Sequence, residues 1–250
     1  MKSYENSDPA RNCQPALPQS FFAKVMQDLQ FMKTIQCDYG VALCELTCLA
    51  SFFGMRSVEY CKTKDPKPKT QRITMRDIRF LHSRPRDLIA SHADKVTITF
   101  SDQKNGVKNQ KITRPRAPHS SGLPGYCPVL IAASLYNRVA SYAYESSNPP
   151  INLCLKDGWH HQITYQEIIK YHKHVAATIG EEKIGFPPSK IGTHSMRVTF
   201  ATCLYEAGFS DAIIKSEGRW KSDAFLKYIR LNSTRRQRYN VTQALSSLSR

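Results

Sequence analysis

The sequence has no apolar run close to the roughly 20 residues that a bilayer-spanning helix needs. The longest, around Val41 to Phe53, is interrupted by Glu45 and reads as a buried helix. The opening stretch MKSYENSDPARN lacks the apolar core of a secretory signal. These two absences predict an intracellular protein with no membrane partner. C-x-x-C pairs are also missing: the eight cysteines, at 13, 37, 44, 48, 61, 127, 154 and 203, are spaced as reduced core thiols. The histidine pairs His160–His161 and His172/His174 have no Cys or carboxylate companions at ligand spacing. They are expected on the surface or facing phosphate, and neither a metal nor a cofactor is expected. Internal repeats and low-complexity tracts are absent as well. Acidic residues are few. Twenty Asp and Glu stand against thirty-six Lys and Arg, a formal charge of +16 over 250 residues, and an excess of that size points to a polyanionic partner. No aromatic R-G-F-G-F signature accompanies it, so RNA reading by that route is excluded.

What is present is mostly helical patterning. Residues 1–19 carry three prolines and little apolar content, and are expected to form a loose leader. Phe21, Phe22, Val25, Met26 and Leu29 share one helical face, and 37–53 form a second, almost wholly apolar helix. A basic loop follows at 62–72, and 73–90 have room for a strand and a turn. The clearest β signal lies at 95–116, where KVTITFSDQ and QKITRPR flank an Asn-Gly turn. Helices are expected over 127–145 and over 164–180, the latter opening on a Thr164/Glu167 capping box. EEKIGFPPSKIG reads as loop. Three more helices are expected at about 193–207, 210–217 and 222–231, followed by a basic tail at 233–250.

The segment GTHSMRVTFATCLYEAG sets His194 and Arg197 three residues apart, on one face at the start of a helix. Met196, Phe200, Cys203, Leu204 and Ala207 form an apolar rear face that would leave both polar side chains pointing outward, near a helix N-terminus suited to phosphate. Gly218-Arg219-Trp220-Lys221-Ser222 comes next, and Tyr228 follows eight residues after Trp220. Upstream, Phe53-Gly54-Met55-Arg56-Ser57-Val58-Glu59 closes the apolar helix, and Lys104 and Lys108 flank the turn of the hairpin.

In that order these residues resemble the tyrosine recombinases, a family that includes phage integrases, Cre-like recombinases and the recombinases of certain eukaryotic transposons. The family pattern has an arginine in a phrase like T-G-L-R-x-x-E, a hairpin lysine and an H-x-x-R motif. A glycine followed closely by His or Trp and a nucleophilic tyrosine complete it. The resemblance covers residues 20–232. It implies an α+β, mainly α, catalytic domain with a small antiparallel sheet. It also implies metal-independent breakage and rejoining of double-stranded DNA through a 3′-phosphotyrosyl bond, on a homo-tetramer assembled on DNA. By the same resemblance Arg56 and Arg197 bind the scissile phosphate and Tyr228 attacks it. Lys104, or Lys108 in its place, protonates the leaving oxygen. His194 is a general base or hydrogen-bond donor, Trp220 donates its indole N–H, and Glu59 supports Arg56 or His194 from behind.

The chain departs from the pattern in three places. The Trp220–Tyr228 interval is one residue shorter than in many phage enzymes, and the Arg56–Lys104 interval is longer, as though an insertion lay within 62–94. The helical DNA-clamping domain that precedes the family's catalytic domain is not expected in the twenty residues before it. Taken singly, each site residue also fits a plain role. Tyr228 fits packing on Phe225, Trp220 fits the core, the two lysines fit a solvated turn, and Arg56 fits a cap on the preceding helix. Two functional alternatives follow: a catalytically inactive DNA-binding protein derived from a recombinase, and a type IB topoisomerase-like enzyme. Arg72, Arg76, Arg79, Arg84, Arg86, Lys111, Arg114, Arg116 and Arg235–Arg238 are further candidates for phosphate contacts. A nuclear location is expected if the host is eukaryotic.

Overall fold

A helix that is apolar all round belongs in the middle of a domain, and the 37–53 segment takes that place. The computed structural model describes residues 14–65, 70–83, 89–102, 106, 108–118 and 123–229. Helix α1 (Gln19–Thr34) packs its Phe21, Phe22, Val25 and Leu29 face on helix α2 (Asp38–Phe53). Nearly every side chain of α2 is buried, Glu45 among them. A buried carboxylate needs partners, and helix α4 (Pro128–Ala140) supplies them: Arg138 Nε at 2.8 Å and Ser134 Oγ at 2.6 Å. Helix α5 (Tyr165–Ile179) and helix α7 (Ser195–Glu206) also pack against α2.

The expected hairpin is present and gains a third strand. Strands β1 (Ile78–Leu81), β2 (Lys95–Asp102) and β3 (Lys108–Pro115) form an antiparallel sheet in that order, with Ile98 opposite both Ile78 and Ile112. Val96, Ile98 and Phe100 alternate inward, as a period of two requires. A second hairpin, β4 (Leu153–Lys156) and β5 (Trp159–Gln162), occupies a stretch where no element is expected. Its turn residues Asp157 and Gly158 both have positive φ, 51° and 81°, as a two-residue type I′ turn demands.

Other boundaries also differ from expectation. Helix α4 ends at Ala140, because Tyr142 turns back to hydrogen-bond Asp38 and Arg138. The EEKIGFPPSKIG segment holds a short helix α6 (Glu181–Ile184) and a 3-10 turn (Pro188–Lys190). The last expected helix is a 3-10 helix over Asp223–Tyr228. It is pinned by Phe225, which joins Ala201 of α7 and Ile214 of helix α8 (Asp211–Glu217) in a small second core. His172 faces neither surface nor phosphate: it is buried, hydrogen-bonded to Thr47 at 2.9 Å, and burial pulls its pKa down to about 3. His161 pairs with Glu167, while His160 and His174 are exposed. Of the seven cysteines described, all are free and five are buried. No helix among the described residues is long and apolar enough to cross a membrane.

One residue links the central helix to the functional end of the fold. Helix α2 stops at Gly54, whose φ of 53° lies in the left-handed region. The Phe200 ring of α7 occupies the space a β-carbon would need, 2.7 Å away. Gly54→Ala is therefore expected to destabilise the protein by about 2–4 kcal/mol, combining the left-handed penalty with overpacking. Urea denaturation of the purified variant measures this, and a change under about 0.5 kcal/mol, the ordinary surface range, would contradict it.

Candidate active site

The last carbonyls of a helix have no partners within it, and they carry the negative end of its dipole. At the end of α2 that deficit is met by arginines. The Phe52 carbonyl accepts from Arg114 Nε at 2.8 Å, and the Phe53 carbonyl from Arg219 Nη1 at 2.8 Å. The Gly54 carbonyl accepts from Arg197 Nη1 at 2.7 Å and Arg219 Nη2 at 3.4 Å. Three guanidiniums from β3, α7 and the loop after α8 thus converge on three consecutive carbonyls. Arg114 is further held by Glu217 at 2.5 Å and by the rings of Phe53 and Phe200.

Arg56 stands two residues beyond Gly54, just ahead of helix α3 (Ser57–Tyr60). The Glu59 carboxylate folds back on it, accepting from the Arg56 backbone N–H at 2.8 Å and from Arg56 Nη1 at 2.9 Å. Glu59 is wholly buried, and its Oε2 also accepts from Arg219 Nη2 at 2.7 Å. Arg56 Nη2 in turn donates to the Arg219 carbonyl at 3.3 Å. One carboxylate thus holds two guanidiniums. Arg219 itself is 2% exposed and has a φ of 59°, and its guanidinium lies 3.5 Å from the centre of the Phe100 ring. Burial lowers its pKa to about 10, against the raising effect of Glu59; it stays charged at neutral pH.

Arg197 and His194 part company in exposure. His194 sits at the exposed start of α7, and its backbone N–H is bound by Gln14. Arg197, one turn on, is 1% exposed, and α7 is buried on all sides from Ser195 to Thr202. The expectation that both point outward from an apolar rear face does not hold. The α2 carbonyls draw Arg197 inward, and Cys203 and Ala207 at the other end are exposed. Arg197 Nη2 also donates to the Gly218 carbonyl at 2.8 Å, and the Trp220 ring stacks on its guanidinium at 4.1 Å. The same ring lies against Gly218, where any β-carbon would overlap it.

Tyr228 ends the Asp223–Tyr228 3-10 helix, beside α7 in the packing of the chain; its side chain is not among those described. Lys104 lies outside the described residues. Lys108 opens β3, exposed, in register with Asp102. The hairpin tip does reach this region, since a β-carbon on Gly106 would stand 3.9 Å from the Lys221 Nζ. Among the proposed phosphate contacts, Arg72, Arg114 and Arg116 are engaged internally, with Gln162, Glu217 and the carbonyls of Ser91 and Ala93. Arg84, Arg86 and Arg235–Arg238 lie outside the described residues. Among the described residues no group of three His, Cys, Asp or Glu side chains could hold a metal ion.

The fold therefore brings together Arg56, Glu59 and Arg197, all expected from the sequence, and adds Arg219 and Arg114, which are not expected as builders of the site. Glu59 follows an almost wholly apolar helix and needs more cationic company than one arginine supplies, but nothing in the sequence singles out Arg219 as that company.

No family model matches the sequence, and no curated protein matches it significantly. Solved structures do resemble the fold. The XerH site-specific recombinase, in a post-cleavage complex with palindromic difH substrate, aligns with a TM-score of 0.58 at 15% identity. That alignment covers 92% of this chain and 53% of XerH. The pre-cleavage XerH complex gives 0.56 at 14%, covering 95% and 56%. The XerA recombinase gives 0.51 at 14%, covering 95% and 66%. The chain thus has the mainly α recombinase fold and spans about half the length of XerH.

The stacking of Trp220 on Arg197 has a direct readout. In a Trp159→Phe background Trp220 is the sole tryptophan, and Gly218→Ala must push its ring off Arg197. Acrylamide quenching of Trp220 fluorescence is expected to rise severalfold; unchanged quenching would refute the stacked arrangement.

Proposed function

We propose that this chain is the catalytic part of a site-specific recombinase or integrase, cutting and rejoining DNA through a 3′-phosphotyrosyl intermediate. The observation that carries the reading is the convergence of Arg56 and Arg197, from opposite halves of the chain, around the end of α2. A phosphodiester resists attack because the nucleophile must approach an anion. Two guanidiniums fixed by carbonyls, a carboxylate and a tryptophan set positive charge in place before substrate arrives.

In this reading Arg56 and Arg197 neutralise the non-bridging oxygens. The Tyr228 hydroxyl gives up its proton as it attacks phosphorus, because a neutral phenol is a poor nucleophile. His194 at the exposed start of α7 accepts that proton or donates to the transferring phosphate. The P–O5′ bond breaks, and Lys104 on the β2–β3 turn supplies a proton to the departing 5′-oxygen. Lys108 is its substitute. Trp220 contributes its N–H and braces Arg197. The reverse sequence, with an incoming 5′-hydroxyl, rejoins the strand without an external energy source. The proposal extends to double-stranded DNA as partner and to a homo-tetramer on that DNA. It also includes an intracellular location, nuclear in a eukaryotic host.

The test is covalent capture. A nicked duplex that loses its cleaved strand is drawn from DNA flanking the gene, and the protein–DNA adduct is read on a denaturing gel. Wild type is expected to give the band without added metal, and Tyr228→Phe to abolish it. Salt-sensitive DNA binding with no band from any substrate would instead support the inactive DNA-binding alternative. Relaxation of supercoiled plasmid by monomeric protein would support the topoisomerase-like one.

A further inference from the structure

Glu59 poses an electrostatic difficulty for the site it supports. A wholly buried carboxylate facing Arg56 alone would form a neutral pair, and a neutralised Arg56 has little attraction for phosphate. Arg219 alters that sum. Its Nη2 takes the Oε2 of Glu59 at 2.7 Å, with the two side chains 0% and 1% exposed, so water cannot do the same work. Arg56 takes the other oxygen at 2.9 Å and keeps 20% of its side chain exposed. Two cations against one anion leave the trio with one positive charge in excess, carried by its outermost member.

We infer that Arg219 is a charge-compensating positioning residue: it neutralises Glu59 so that Arg56 presents its positive charge to a phosphate. This rests on the reading of Arg56 as a phosphate ligand. Arg219 is well placed for the task because its guanidinium is engaged within the protein. The Phe53 and Gly54 carbonyls hold its fork from one side, and the Phe100 ring lies against its guanidinium. Its left-handed backbone turns its carbonyl onto Arg56 Nη2, so one residue supplies both the compensating charge and a second tether. The carboxylate thus orients Arg56 through two hydrogen bonds without cancelling it. A cluster of this kind also explains why a charge as costly to bury as Arg219 is tolerated. Removing either member of a buried pair leaves the other uncompensated.

The experiment uses the full 250-residue chain labelled with ¹⁵N-arginine and titrated with inorganic phosphate. It follows the Arg56 side-chain Nε–H signal, assigned by its loss in Arg56→Lys. Arg219→Met is expected to weaken phosphate affinity at Arg56 by about tenfold, as loss of one nearby unit charge at a partly exposed site implies. Arg219→Lys keeps the charge and is expected to stay within about threefold of wild type, as is the double variant Arg219→Met/Glu59→Gln, in which both charges are gone.

Charge rescue separates this role from simple anchoring of the loop to α2, which the double variant cannot restore. An Arg219→Met affinity equal to wild type would overturn the inference. So would a double variant no better than the single one, or an Arg56 signal in wild type that ignores phosphate. If Arg219→Met does not fold, Glu59→Gln alone decides: phosphate affinity equal to or above wild type is expected, and a weakened affinity overturns the proposal. Covalent capture with nicked duplex is run in parallel. A wild type that binds phosphate in this charge-dependent way yet forms no adduct would remove the recombinase reading and leave the compensation standing.

Discussion

Three carbonyl groups at the end of one buried helix organise this protein. Helix α2 is apolar enough to occupy the centre of the domain, so its C-terminus ends inside the protein with no water to satisfy it. Arg114, Arg197 and Arg219 come from three distant parts of the chain to meet it. Their arrival ties β3, α7 and the 218–220 turn to the same point. The left-handed Gly54 lets the chain leave α2 tightly enough for Arg56 to stand beside them. A structural requirement, satisfying a helix end, thereby concentrates positive charge at one place on the fold.

That concentration is stable because each guanidinium has its own support. Arg114 has Glu217, Arg219 has Glu59 and Phe100, and Arg197 has the Gly218 carbonyl and the Trp220 ring. Arg56 shares Glu59 while remaining the most accessible of the four-residue set Arg56, Glu59, Arg197 and Arg219. Sites that bind phosphodiesters gain from cations placed beforehand. In this chain the cluster lies where the hairpin tip, α7 and the Asp223–Tyr228 3-10 helix approach one another.

Much of this was legible in the sequence, and the rest failed for identifiable reasons. The apolar run of α2, the alternation of β2 and β3 and the Thr164/Glu167 box are local signals, and each produced its element. The β4–β5 hairpin was missed although Asp157-Gly158 marks its turn, because its strands are only four residues long. His194 and Arg197 were placed on one outward face by helical spacing alone. Periodicity does not report the unsatisfied carbonyls that draw Arg197 inside. Arg219 was unreadable for the same reason: its role depends on a left-handed backbone and on Glu59, 160 residues away. The order of Arg56, Arg197 and Tyr228 is readable as a resemblance to the tyrosine recombinases, and the fold brings the two arginines to the end of α2.

If the arginine cluster at the end of α2 is a phosphate site aimed at Tyr228, orthovanadate and a nicked DNA duplex must assemble there. In a crystal structure of that complex, vanadium is expected to be bonded to the Tyr228 hydroxyl oxygen, with equatorial oxygens contacted by Arg56 and Arg197. Vanadate bound elsewhere, with Tyr228 turned away from those two arginines, would rule the phosphate site out.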